Sequence, residues 1–144
     1  MAHIEVSVSG LQQQHDAIRQ VRSSVFLIEQ AIPPELEYDD RDPICRHAVV
    51  YLDYQPVATG RIDLPLGGKI GRVAVLKPFR RQGLGRQVMQ GLEQEAIASG
   101  LERVWFHSQV PAMPFYFSLG YQGIGEEFME ADIPHRKMEK NLRD

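Results

Sequence analysis

At 144 residues the chain is long enough to bury most of its apolar surface in one core, and its 43% apolar and 24% charged residues are ordinary globular values. A formal net charge of −3 gives no broad basic face for nucleic acid, and no apolar run approaches the ~20 residues of a bilayer span. The single cysteine, Cys45, excludes an internal disulfide, fits a reducing cytoplasm and has no activating neighbour in sequence.

Met1 leads into a segment, residues 4–8, that alternates with period two; it reads as a strand ending at Gly10 and not as a signal peptide. Ile18, Val21, Val25 and Ile28 then repeat at three and four residues, predicting one amphipathic helix over roughly residues 11–31, ended by Pro33 and Pro34. An acidic run follows: Glu35, Glu37, Asp39, Asp40 and Asp42. It reads first as a solvated loop. Its two functional readings are attraction of a cationic substrate and ligation of a hard metal by Asp39, Asp40 and Asp42, although the spacing is not that of a calcium loop. The five histidines are too scattered for zinc, so no metal site is expected. Residues 46–53 and 57–64 predict an antiparallel pair turned at Tyr54, Gln55 and Pro56, and Gly67-Gly68 turns the chain into a strand over 70–76.

That strand opens the most informative segment. Ile70, Val73 and Val75 run into a basic, glycine-containing turn, and a helix follows at once. Leu84, Val88 and Leu92 recur there at four-residue spacing, with Met89 and Ala96 widening the stripe. Gly83 and Gly85 lack Cβ atoms, so backbone N–H groups can close on a bulky ligand, and their place at a helix N-terminus favours an anion. No acidic residue falls between Asp63 and Glu93, whereas Lys69, Arg72, Lys77, Arg80, Arg81 and Arg86 all do. This concentration of cations around one glycine turn reads as a phosphate site. Neither common glycine fingerprint fits it: no Gly-Lys-Ser/Thr follows, and Val88 stands where a dinucleotide loop has its third glycine. The helix runs to about Ser99-Gly100. Val104, Trp105 and Phe106 predict a short apolar strand in the middle of the sheet, Pro111 opens a short helix that Gly120 closes, and strands near 121–125 and 135–141 complete the pattern.

Arg80-x-x-Gly83-x-Gly85 resembles the Arg/Gln-x-x-Gly-x-Gly/Ala motif of the GCN5-related N-acetyltransferase (GNAT) superfamily. The segment from His107 to Tyr121 is similar to that family's second signature, Asn-x-x-Ala-x-x-x-Tyr-x-x-x-Gly-Phe: Ala112, Tyr116 and Gly120 match, Tyr121 takes the aromatic place, and Gln109 stands where the family often has Asn. Val25-Phe26-x-x-Glu29-Gln30 and the run from Pro134 to Met138 resemble the small bacterial acetyltransferases of the ElaA type. The resemblance implies one GNAT domain over residues 1–144, an α/β fold with a mixed, mostly antiparallel sheet of six to seven strands flanked by about four helices. It implies a cytoplasmic enzyme moving an acetyl group from acetyl-CoA to a primary amine of a small molecule or peptide, with no nucleic acid or membrane partner; such proteins are often homodimers. It places the pyrophosphate at Arg80, Arg81, Gln82, Gly83, Leu84, Gly85 and Arg86, the thioester carbonyl at the N–H groups of Val73, Ala74 and Val75, and a further cofactor contact at Gln109.

Acetyl transfer to an amine needs a deprotonated nitrogen, a polarised carbonyl and a proton for the leaving thiolate. The resemblance makes Tyr116 the general acid; its other reading is a buried aromatic with a satisfied hydroxyl. For the base, Glu29, His107, Glu126, Glu127 and His135 all stand open. Glu29 sits at a helix end beside the acidic loop, His107 directly follows the apolar strand, Glu126, Glu127 and Glu130 read first as a solvated loop, and His135 as an alternating strand residue. Two other functions are compatible with the sequence: a synthase similar to the acyl-homoserine lactone makers, whose opening motif Arg22-x-x-x-Phe26 resembles, and a non-catalytic acyl-CoA sensor.

Overall fold

The computed structural model describes residues 2–143. Seven strands form one sheet: β1 (Ile4–Gly10), β2 (Arg46–Leu52), β3 (Gln55–Asp63), β4 (Lys69–Val75), β5 (Arg103–Gln109), β6 (Gln122–Glu130) and β7 (Ile133–Asn141), in the spatial order β1-β2-β3-β4-β5-β7-β6. Four helices accompany it: α1 (His15–Arg22), α2 (Pro34–Glu37), α3 (Leu84–Ala98) and α4 (Met113–Ser118). The α/β class and the expected strand and helix numbers agree with this arrangement. All neighbouring strands run antiparallel except β4 and β5, which are parallel and share a single residue pair, Lys69 with Trp105.

The core lies between the sheet and α3. Leu84, Val88, Met89, Leu92 and Ala96 are all buried, as their spacing requires, and pack with Ala48, Val50, Ala58, Ile62 and Ile70 from the strands. Burying a Leu or Val side chain contributes about 1.5–3 kcal/mol, so this one stripe anchors the helix that follows the glycine turn. Gly60 lets it approach closely: a Cβ there would sit 2.6 Å from Val88 Cγ1. On the opposite face α1 covers β3 and β4, where Val21 and Val25 pack on Ala74.

Several expected elements differ. The helix over 11–31 starts as a 3-10 turn (Gln12–Gln14), continues as α1 and then widens into a π-helix over Ser23–Glu29, with Gln30 N–H donating five residues back to the Val25 carbonyl. A π turn takes up roughly one residue more than an α turn, so Ile28 rotates off the buried stripe and stands 79% exposed. The β2–β3 turn is made by Asp53 and Tyr54, both at positive φ, and Gln55 and Pro56 already belong to β3. The strand expected at Val104–Phe106 extends to Gln109, and the last two strands form one long hairpin.

Three acids of the run, Glu37, Asp39 and Asp42, are buried or half-buried rather than solvated. Arg22, 1% exposed, donates to Glu37 Oε1 and Asp42 Oδ1, both at 2.8 Å, and to the Glu37 carbonyl at 2.6 Å. Arg61 binds Asp39 and Asp42, Arg41 binds Asp63, and Arg72 reaches Asp39. Arg22, Arg61 and Arg72 thus engage Glu37, Asp39 and Asp42, while Glu35 and Asp40 stay exposed, and no metal-holding cluster occurs among the described residues. Hydrogen bonds from Arg61 hold the Asp39 carboxyl down at about 2, and burial pushes the Glu37 carboxyl up despite Arg22. Burial also pushes the Cys45 thiol up to about 11, which leaves it inert.

Candidate active site

β4 positions the centre of the site through one irregularity. The register with β3 shifts between Thr59 and Arg61, so β4 carries an extra residue there, and Arg72 takes a left-handed φ of 52°. The bulge turns the Arg72 side chain towards the acidic segment, where its Nε donates to the Glu37 carbonyl at 3.1 Å, and returns Val73 and Val75 to the α3 side. Arg72 is therefore not one of the cations at the turn. One edge of β4 is bonded to β3; the other meets β5 only at Lys69 and Trp105, and beyond that pair the two strands have no ladder. The backbone of Val73, Ala74 and Val75 borders this open seam.

The glycine turn closes the wide end of the seam. A 3-10 turn over Lys77–Phe79 leads to Arg81, at φ 64°, and Gly83, at φ 81°, and α3 starts at Leu84. No side chain caps the helix, so its first N–H groups stay open to an anion. A Cβ on Gly83 would meet nothing within 4 Å, whereas one on Gly85 would meet the Phe115 ring at 3.2 Å. Gly83 thus leaves room for a ligand, and Gly85 leaves room for α4. Arg81, Gln82 and Arg86 are exposed around the turn. Arg80 is differently employed: Nε donates to the Val75 carbonyl at 2.9 Å, and its two terminal nitrogens donate to Glu29 at 2.7 and 2.6 Å. Those bonds hold the Glu29 carboxyl below its usual range, which weakens it as a base. Uncapped amides, an open turn and an unpaired strand edge together fit a pyrophosphate followed by an extended amide arm.

Tyr116 projects from α4 towards β5. Its ring lies 4.4 Å from that of Phe106 and 5.0 Å from that of Phe115, and burial alone pushes its phenol up to about 12. No protein group among the described residues bonds its hydroxyl. Tyr121, packed on the same Phe106, instead donates to Glu93 at 2.7 Å. Of the two tyrosines, only Tyr116 keeps a protonated hydroxyl available to a ligand.

His107 follows Phe106 on β5 and faces the other side of the sheet. Its Nδ1 is 3.0 Å from Glu130 Oε1, and its ring meets Phe128 edge-on at 4.8 Å. His135, paired with Gln109 across the β5–β7 ladder, is buried, with Nδ1 2.7 Å from the Ile133 carbonyl and Nε2 3.6 Å from Glu130 Oε2. Gln109 itself is exposed at the end of β5, and Glu126 and Glu127 are exposed on β6. The structure therefore places Tyr116 and His107 on opposite faces of β5 and ties Glu29 to Arg80. Glu130, expected with Glu126 and Glu127 in a solvated loop, ends β6 instead, and its carboxylate reaches His107 through the register shift between Ile124 and Phe128. A bulge of that kind leaves no periodic signal.

Residues 20–142 match the family described as acetyltransferase (GNAT) domain. The uncharacterized protein YyaT of Bacillus subtilis (strain 168) is 40% identical over 133 residues, 89% of this chain and 88% of that protein. Among solved structures, Escherichia coli ElaA superposes with a TM-score of 0.82 at 29% identity, covering 96% of this chain and all of the other (100%). An acyl-CoA N-acyltransferase from Pseudomonas aeruginosa superposes with a TM-score of 0.83 at 28% identity, covering 96% of this chain and 99% of its own. No helix among the described residues is long and apolar enough to cross a membrane.

Proposed function

The chain belongs to the GNAT acetyltransferases and resembles their ElaA-like members, and from that premise we propose that residues 1–144 form one N-acetyltransferase domain that moves an acetyl group from acetyl-CoA to a primary amine of a small molecule or peptide. The observation that carries this reading is the seam: two parallel strands joined by one residue pair, with a free backbone edge on β4 and the unbonded Tyr116 hydroxyl beside β5. A bound acyl-CoA supplies the thioester. The uncapped N-terminus of α3, with Gly83 and Leu84, holds its pyrophosphate, assisted by Arg81, Gln82 and Arg86. N–H groups of Val73 to Val75 polarise the carbonyl, an arrangement worth the most in a site that excludes water. Gln109, at the far lip of the seam, contacts the pantetheine arm. Tyr116 gives its proton to the departing thiolate, because burial keeps the phenol protonated at neutral pH.

Holding both reactants in place accounts for much of the rate, since oriented intramolecular reactions gain on the order of 7–11 kcal/mol. The buried, unpaired Cys45 accords with a reducing cytoplasm. The test is release of free thiol from acetyl-CoA across a panel of primary amines, with the product identified by mass and coenzyme A binding measured by calorimetry. Acetylated amine is the expected result. Tight binding with no turnover on any amine would leave a sensor, and no binding at all would remove the reading.

A further inference from the structure

We propose that Glu130 is a positioning residue that fixes the tautomer of His107 so that His107 takes the proton of the acceptor amine. The inference rests on the N-acetyltransferase reading and assigns the base which that reading leaves open.

The hydrogen bonds determine which nitrogen is free. A carboxylate only accepts, so the 3.0 Å contact between His107 Nδ1 and Glu130 Oε1 places the ring proton on Nδ1. The neutral imidazole then carries its lone pair on Nε2, which has no protein partner among the described residues. Behind Glu130, His135 donates from Nδ1 to the Ile133 carbonyl at 2.7 Å, and its Nε2 lies 3.6 Å from Glu130 Oε2, beyond hydrogen-bond reach. Phe128 lies between the two imidazoles, edge-on to His107 and stacked on His135 at 6.1 Å. The Glu130–His107 contact resembles the orienting logic of carboxylate–imidazole pairs in hydrolases.

Its location suits the task. Successive strand residues face opposite sides, so His107 looks away from α3 while Phe106 packs on Tyr116. Base and acid therefore flank one strand of the seam, on the face opposite α3 and on the side of α4 respectively. The charged groups around His107 are Glu130 from β6, His135 from β7, its cross-strand neighbour Lys137, and Lys69 from β4; both lysines lie over the Trp105 ring, at 4.9 and 5.3 Å. In the transfer, the amine nitrogen forms its bond to the acyl carbon and loses a proton to His107 Nε2. The C–S bond breaks, and the thiolate sulfur takes the Tyr116 proton. The imidazolium and the phenolate then restore each other through solvent, so protons and charge balance.

The test has two readouts. In ring-nitrogen NMR of the ligand-free protein, His107 is expected as the Nδ1–H tautomer, and Glu130→Gln is expected to lose that preference. In kinetics, His107→Gln is expected to lose on the order of 100-fold in kcat near neutral pH, with coenzyme A affinity unchanged, and to recover as pH nears the amine's own range. Glu130→Gln is expected to lower kcat by on the order of 10-fold with coenzyme A affinity unchanged, because the ring then presents the wrong nitrogen for part of the time. A merely structural Glu130 would cost stability and leave the His107 tautomer and kcat where they were, which overturns the proposal, as would an Nε2–H tautomer in the parent protein. A parent protein that binds coenzyme A but acetylates no amine defeats the transferase reading, and this base assignment falls with it before any variant is made.

Discussion

Arg80 grips Glu29 with both terminal nitrogens, at 2.7 and 2.6 Å, while its Nε rests on the Val75 carbonyl. The pair joins the end of the π-helical segment to the lip of the glycine turn. Glu29→Gln should therefore test anchoring against proton transfer. A base is worth 10²–10⁴ in rate, whereas loss of an exposed anchor should change kcat by less than about threefold. Steady-state kinetics with a saturating amine decides between them.

Tyr116→Phe should lower kcat by on the order of 10²-fold and leave the coenzyme A dissociation constant within about twofold, because the phenol donates only as the thiolate departs. The ring contacts with Phe106 and Phe115 survive the change, so the melting temperature should hold. Unchanged turnover would return Tyr116 to the aromatic core.

Two glycines should fail in opposite ways. Gly60→Ala forces a Cβ to within 2.6 Å of Val88 Cγ1 and should cost about 1–3 kcal/mol of stability, partly restored by Val88→Ala. Gly83→Ala meets nothing within 4 Å, and its only intrinsic cost is the positive φ, about 1 kcal/mol. Its methyl group enters the open turn, so coenzyme A affinity should fall well before stability does. Chemical denaturation and calorimetry on the same pair of variants separate the two effects.

The arginine-bound carboxylates set a pH window. Asp39 is held at about 2, below its ordinary value of 3.8, so its stabilising contribution is complete above pH 4 and disappears as pH falls towards 2. Asp42 and Asp63 are lowered and act in the same direction, whereas the raised Glu37 acts oppositely: it favours the fold at acid pH and loses that contribution as pH rises through its own range. Asp39→Asn should destabilise by up to about 2 kcal/mol at pH 7 and by much less at pH 2.5. Urea melts at both values measure the difference.

Much of the candidate site was legible because local pattern and candidate residues coincide there. The spacing of Leu84, Val88 and Leu92 placed α3, and Gly83 before it placed the open turn. Tyr116 followed from the motif around Ala112 and Gly120. What escaped had no local signature. Glu37 and Asp42 look like solvent-facing acids until α1 brings Arg22 between them from 15 and 20 residues away. Ile28 continued an apolar stripe that the π turn then broke. The bulge at Arg72 and the register shift that delivers Glu130 depend on pairing partners, which a single strand's periodicity does not name.

β7 follows β6 along the chain yet lies inside the sheet, so every ladder bond tying β6 to the rest passes through it. A nascent polypeptide that has released α3 already possesses β1 to β4 and the glycine turn. Its sheet stays open until residues 133–141 emerge and slot between β5 and β6. The last strand to leave the ribosome is thus the one that locks both of its neighbours in place.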